Sequence, residues 1–315
     1  MIPVPPGAGR RSATGTTLDS GADRRARRRI PAGVWFVLPA LALLVLFRAA
    51  PLVEGVRLSF TEWKGFVPPR FLGIDNYVDI LTDPVIHTAL IHNGIILLTV
   101  PIWVLLPFFL ATILHRRIWG WRFFRMAFFA PALVSPVIVG IFFELMLREN
   151  GPINTALRGL GLGFLATQWL VDLDTALPVV IIIIIWAMFG MGVLIFLAAL
   201  DAVDPQLHDA AKIDGASWLQ TQRYVVLPEI SSVLQFYTVI MVIASFTGLF
   251  PFVYTLTRGG PGNATEVIDL AIYRAAFQSS ELGYASAVGV IMVLLALALV
   301  WIALAVTRRG TKADA

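Results

Sequence analysis

Asp204–Pro228, DPQLHDAAKIDGASWLQTQRYVVLP, is a polar stretch between two strongly apolar runs at about 177–200 and 232–254. Its chemistry predicts two short helices. Asp204 is a good N-cap residue, and Pro205 suits a first helical turn, where a missing N–H costs nothing. The helix then runs through Ala210, Ala211 and Ile213 and stops at Gly215, a residue that readily takes left-handed backbone at a helix end. Ser217, followed three residues later by Gln220, has the capping-box pattern of a second short helix. Leu227-Pro228 then leads into the next apolar run. A polar hairpin between two such runs sets the reading of the rest: an all-α membrane protein with several spans.

Composition agrees. Of 315 residues, 58% are hydrophobic and only 14% charged, far more apolar than a soluble domain. The chain has no cysteine, which excludes disulfides, thiolate metal sites and a thiol nucleophile. The formal charge is +4, but the basic residues flank apolar runs instead of forming a face with aromatic platforms, so a nucleic-acid partner is excluded.

Residues 1–30 are rich in Pro, Gly, Ser, Thr and Arg without apolar periodicity and are expected to be a disordered basic cytoplasmic tail. The apolar segment after Arg24–Arg29 has no small-residue cleavage site and is read as a retained first span. A span needs roughly 20 apolar residues, and six fit, at about 33–53, 91–114, 124–147, 177–200, 232–254 and 284–306. They form one transmembrane domain over 31–307, with 308–315 as a short C-terminal tail. Prolines interrupt several spans (Pro39, Pro101, Pro107, Pro131, Pro136), which neighbouring helices in a bundle can accommodate. With the N-terminus inside, sixteen Lys and Arg fall on the cytoplasmic side and seven outside, with Arg48 near the end of the first span. The positive-inside rule therefore puts both termini and the 204–228 loop in the cytoplasm.

The outer loops have their own patterns. Phe71–Pro84 is partly amphipathic, and Arg148–Leu162 has Ile153, Leu157 and Leu160 at helical spacing after a Gly-Pro turn. Leu256–Gly262 is a turn by composition. No internal repeat marks a solenoid or an inverted-repeat carrier.

These residues carry a family resemblance. Asp209-Ala210-Ala211, three residues, Gly215, nine residues and Val225-x-Leu227-Pro228 resemble the EAA loop of bacterial ABC importer permeases. Asp209 stands where Glu is usual and Val225 where Ile is usual; both keep charge sign or shape. Pro51, Ser59-Phe60, Gly73-x-Asp75-Asn76-Tyr77, Gly151-Pro152-Ile153-Asn154, Asp214-Gly215-Ala216, Thr257-x-Gly259-Gly260-Pro261 and Gly283–Ala287 resemble the carbohydrate-type group, related to the maltose and glycerol-3-phosphate permeases. The likeness spans about residues 33–306 and implies the type I ABC importer transmembrane fold in a bacterial cytoplasmic membrane. It further implies a second permease forming a heterodimer, two ATPase subunits, an extracytoplasmic solute-binding protein, membrane lipid around the spans, and a sugar or related polyol as cargo. Asp209, Ala210, Ala211, Asp214, Gly215, Leu227 and Pro228 are then the ATPase-docking residues, with both alanines on one face meeting the ATPase cleft. Ser245, Phe246, Thr247, Gly248, Phe250 and Tyr254 are the candidate substrate pathway. Helix packing through Ser, Thr and Gly is the competing role for that patch.

No Gly-x-x-x-x-Gly-Lys-Ser/Thr loop occurs, so ATP hydrolysis is assigned to a separate subunit and the chain is not expected to be an enzyme. The histidines (His87, His92, His115, His208) include no i, i+4 pair of the helix-borne zinc type, and no cofactor is implied. The middles of the fourth and fifth spans hold no charge, which favours an uncharged polyol or saccharide over the alternative cargo, glycerol-3-phosphate. An ATP-independent secondary transporter, the alternative from another class, would leave the 204–228 loop unexplained.

Overall fold

The structure, a computed structural model, describes residues 32–313, with side-chain surroundings from 37 to 305. The expected tail, 1–30, lies outside the described residues. The described residues fall into two compact units, divided between Ala50 and Pro51. The first contains α1 (Ala32–Leu44) and a π-helical stretch, Val45–Ala49. The second unit carries the remaining architecture, beginning within α2 (Ala50–Leu58), whose first residue closes the first unit.

A two-residue ribbon, β1 (Thr61–Glu62) antiparallel to β2 (Arg70–Phe71), departs from the all-helical expectation. It is tied down by the side chain of buried Asn76, which donates to the carbonyls of Ser59 (2.9 Å) and Thr61 (3.0 Å). Asn76 sits at the start of α3 (Asp75–Thr82). Next come α4 (Pro84–Leu98), α5 (Val100–His115), α6 (Trp121–Phe129), α7 (Pro136–Met146) and the outer helix α8 (Pro152–Gly159). Asn154, fully buried on α8, donates to the carbonyls of Arg148, Glu149 and Thr167 and accepts from the Trp169 indole (2.8 Å), so the predicted outer helix is pinned to its flanking loops.

The long α9 (Ala176–Asp201) leads into α10 (Pro205–Ile213), α11 (Trp218–Thr221) and α12 (Leu227–Glu229). The chain ends with α13 (Ser231–Thr247), α14 (Phe250–Leu256), α15 (Ile268–Tyr273) and α16 (Leu282–Ala313). The core lies where α5, α9, α13 and α14 meet, around Trp103, Ile184, Phe196, Tyr237 and Phe252, all fully buried or nearly so.

Among the described residues, four helical stretches are long and apolar enough to cross a membrane: Val37–Leu58, Pro84–His115, Ala176–Asp201 and Leu282–Ala305. Two more are bent pairs, Trp121–Leu133 with Pro136–Met146 (99°) and Trp218–Glu229 with Ser231–Thr247 (76°), so the count runs from four to six. The third expected span, 124–147, is therefore not straight. Pro136 forces Ser135 into extended backbone (ψ 136°), and Pro131 cannot donate to the turn before it, so the helix breaks between them. The second span starts earlier than hydropathy suggests, because the Asp83 carboxylate caps α4 by accepting from the Val85 N–H at 2.7 Å, with Pro84 in the first turn. The fifth expected span ends at Thr247, and α14 begins anew at Phe250. Many outward side chains are large and apolar, among them Leu98, Phe123 and Trp301, as bilayer-facing helices require.

Candidate functional site

The 204–228 loop is built as its sequence chemistry dictates. The Asp204 carboxylate accepts from the Gln206 N–H at 2.9 Å. At the other end of α10, the Ala216 N–H bonds the Ala211 carbonyl (2.9 Å) and the Gly215 N–H bonds the Lys212 carbonyl (3.1 Å). With Gly215 at φ +73°, this is a Schellman close. Ser217 and Gln220 form both bonds of the capping box at the head of α11. The loop is anchored by Val226 and Ile230, both essentially buried in the main core, and the chain then bends by 76° into α13. Leu227 and Pro228 sit on that elbow, half-buried and exposed respectively.

The two alanines do not share a face. Ala211 is buried and packs inward, while Ala210 is exposed, because consecutive helical residues point about 100° apart. The outward stripe is Gln206, Asp209, Ala210 and Ile213, at i, i+3, i+4 and i+7. Ile213 is 86% exposed, a large apolar side chain that the sequence motif does not single out. Asp209 faces out beside Lys212 (3.2 Å), an exposed pair worth little by itself, and Asp214 ends α10, also exposed. On the inward side the His208 ring of α10 lies 6.4 Å from the His115 ring at the end of α5, and the Arg116 guanidinium lies over the Trp218 ring of α11 (5.8 Å). His115 Nδ1 is in turn 3.2 Å from Asp201 Oδ1 at the end of α9.

The candidate pathway residues separate into two groups. Ser245 is fully buried, with its hydroxyl on the Val242 carbonyl, and Phe246 packs with Ile80, Ile86 and Val288. Their place is in helix packing. Thr247 is exposed, bonded to the Ile243 carbonyl, and Gly248 closes α13. Phe250 and Tyr254 lie together on α14, stacked at 5.2 Å between ring centroids.

Sequence reading missed the polar stitching around this region, because its partners lie far apart in the chain. Buried Asn93 on α4 donates to the Ser245 carbonyl (2.9 Å) and accepts from the Ile268 N–H (3.0 Å), tying α4, α13 and α15 together. The Asp269 carboxylate accepts from the N–H groups of Leu249 (3.0 Å) and Phe250 (2.6 Å), capping α14 from twenty residues away. His92 Nδ1 lies 2.8 Å from the Glu266 carbonyl oxygen. The Glu266 side chain, with no exposed surface, is ion-paired with Arg274 at 2.7 Å. Arg274 also donates to the Arg258 carbonyl, and Thr257 and Thr265 share a hydroxyl bond at 2.6 Å, which orders the Thr-x-Gly-Gly-Pro turn.

Burial pushes the Glu266 carboxyl up to about 7; Arg274 pulls it down and Asp269 pushes it up. Glu266 thus ionises at higher pH in the folded chain than in the unfolded one. The stability it contributes is fully present below the ordinary value of 4.5 and is lost as pH rises through about 7. Glu266→Gln removes that dependence. From about pH 5 to about pH 8 the native chain is expected to lose on the order of 3 kcal/mol relative to the variant. Thermal melts of both proteins in detergent at the two pH values check this.

A multi-pass helical membrane protein with an exposed, doubly capped two-helix loop between apolar helices is what the geometry defines. The chain belongs to the family of binding-protein-dependent transport system inner membrane components, which matches residues 94–312. The "Probable ABC transporter permease protein PH1215" of Pyrococcus horikoshii is 33% identical over 275 residues, covering 86% of this chain and 94% of that protein. The diacetylchitobiose uptake system permease protein NgcF of Streptomyces coelicolor is 33% identical over 268 residues, 80% of this chain and 75% of that protein. In fold, the chain is similar to a chain in the crystal structure of a bacterial alginate ABC transporter in complex with alginate pentasaccharide-bound periplasmic protein. The TM-score is 0.77 at 24% identity, over 89% of this chain and 94% of that one. The resemblance to carbohydrate-type ABC importer permeases is thereby borne out. As a membrane permease component the chain is not an enzyme; the ATPase is a separate subunit.

Proposed function

We propose that this chain is one of two permease subunits of an ATP-driven importer that moves a saccharide or related polyol handed over by an extracytoplasmic binding protein. It crosses the membrane six times, each bent pair making one crossing, with both termini in the cytoplasm. The second permease is a homologous but distinct chain, and two ATPase subunits complete the assembly. The excess of Lys and Arg on the tail and the even-numbered loops supports the orientation. The substrates of NgcF and of the alginate transporter support a saccharide cargo.

The observation that carries the reading is the 204–228 loop. Its ends are capped, its base is sunk in the core, and its outward stripe of Asp209, Ala210 and Ile213 offers a carboxylate, a small side chain and an apolar anchor to a partner. Such a loop transmits ATPase closure to α13 through the elbow at Leu227-Pro228 and to the end of α5 through His208 and Trp218 on its inward side. Affinity purification of the chain from its own membranes in mild detergent tests the assignment. An ATPase, a second permease and a binding protein are expected to stay bound. Asp209→Lys should reduce the retained ATPase by about tenfold or more, the scale on which reversing one interfacial charge acts. Recovery of the chain alone, with transport intact after reconstitution, would favour a secondary carrier.

A further inference from the structure

Phe250 and Tyr254 are the inner half of a longer array. The Tyr273 ring lies 4.8 Å from Phe250 and 5.4 Å from Tyr254, and Phe277 follows at 5.3 Å from Tyr273. The four rings run from half-buried positions on α14 to Phe277, which is 74% exposed. Tyr254 also forms part of the wall of a cleft of about 700 Å³, with Glu144, Arg148, Glu149, Gln168 and Arg258. In that wall Arg148 pairs with Glu144 at 2.8 Å and the Gln168 amide donates to Glu149 at 3.1 Å. The turn carrying Tyr273 and Phe277 is held by Arg274, locked to buried Glu266, so the outer rings are mounted on a fixed support.

A pyranose ring has a C–H face and a rim of hydroxyls. Aromatic faces complement the first; carboxylate, guanidinium and amide groups complement the second. A lipid chain has no use for the polar wall, and a small phosphate ester has no ring to stack. We infer that the four rings and the adjoining cleft form a saccharide track, with Tyr273 and Phe277 as its outer ligand-contacting residues. The inference rests on the importer reading above and names a part of the path that the sequence motif does not contain.

The test uses the copurified complex in nanodiscs and saturation-transfer difference NMR. The probes are N,N′-diacetylchitobiose, maltopentaose and an alginate oligosaccharide, with glycerol-3-phosphate as a ring-free control. Irradiation of the aromatic envelope should saturate the pyranose C–H protons of at least one oligosaccharide and leave the control unaffected. Phe277→Leu and Tyr273→Leu should each weaken that signal about three- to tenfold, and Phe277→Tyr should retain it. An equal signal in the Leu variants, no pyranose signal from any probe, or equal saturation of glycerol-3-phosphate would overturn the track. Phe277 is exposed, so its Leu variant is expected to fold normally. ATPase in the same sample separates the two readings: if it is retained while the track fails, the importer reading stands; if it is absent, that reading and the track fall together.

Discussion

Gly215→Pro is expected to abolish ATP-driven uptake while the chain still inserts into the membrane at normal levels. Gly215 stands at φ +73°, and its N–H bonds the Lys212 carbonyl at 3.1 Å. Proline fixes φ near −65° and has no N–H, so it breaks both the left-handed close of α10 and one of its two terminating bonds. A Cβ at this position would meet nothing within 4 Å, so the defect is one of backbone geometry and not of packing. Gly215→Ala should therefore be graded, costing roughly 1–2 kcal/mol for left-handed backbone on a residue with a Cβ. The Pro variant instead re-aims the Asp209 and Ile213 face relative to the anchors at Val226 and Ile230. Uptake and ATP hydrolysis in proteoliposomes, beside the amount of chain in the membrane fraction, provide the check. Normal coupling in Gly215→Pro would remove the loop from the mechanism.

The second large effect is expected at Gly190. This residue of α9 passes so close to the end of α6 that a Cβ would sit 2.2 Å from the Phe128 carbonyl oxygen and 3.2 Å from the Phe129 Cα. Both obstacles are backbone atoms and cannot rotate aside. Gly190→Ala must push α9 away from α6 and the turn at Ala130–Leu133, opening the packing around Ile184 and Phe196 as well. Overpacking of this kind costs about 3 kcal/mol or more when the backbone has to move. Melting of the detergent-solubilised protein should fall by roughly 5 °C or more. Gly289→Ala on α16 is the control, since nothing lies within 4 Å of its Cβ, and it should melt like the native chain. Equal melting of the two variants would show that α9 and α6 do not pack this closely in the membrane.

The features that could be read in the sequence were those written in local chemistry. Asp204, Gly215, Ser217 and Gln220 announce their caps because each acts within a few residues of itself, and all four do so in the structure. The apolar runs gave away the membrane helices for the same reason. What escaped depends on groups distant in sequence. Nothing near Asp269 indicates that it caps α14, and nothing near Asn93 indicates that it binds α13 to α15. The break in the third expected span was visible as Pro131 and Pro136, but sequence alone does not say whether neighbours straighten such a helix or let it bend by 99°. Ser245 and Phe246 looked like pathway residues by type; burial turns them into packing, while the ring array that Phe250 and Tyr254 begin is completed by Tyr273 at the end of α15 and Phe277 in the π-helical turn after it.

The central claim is that the outward face of α10 docks on an ATPase, and the absence of native cysteine allows a clean test. Ile213→Cys, at a side chain 86% exposed, would carry a thiol-linked photo-crosslinker, with Phe164→Cys, 81% exposed on the 148–175 loop, as the control. Irradiation of membranes containing the assembled transporter should capture an ATPase subunit at Ile213→Cys and none at Phe164→Cys. Capture of lipid alone at Ile213→Cys, or of an ATPase equally at both positions, would contradict the account.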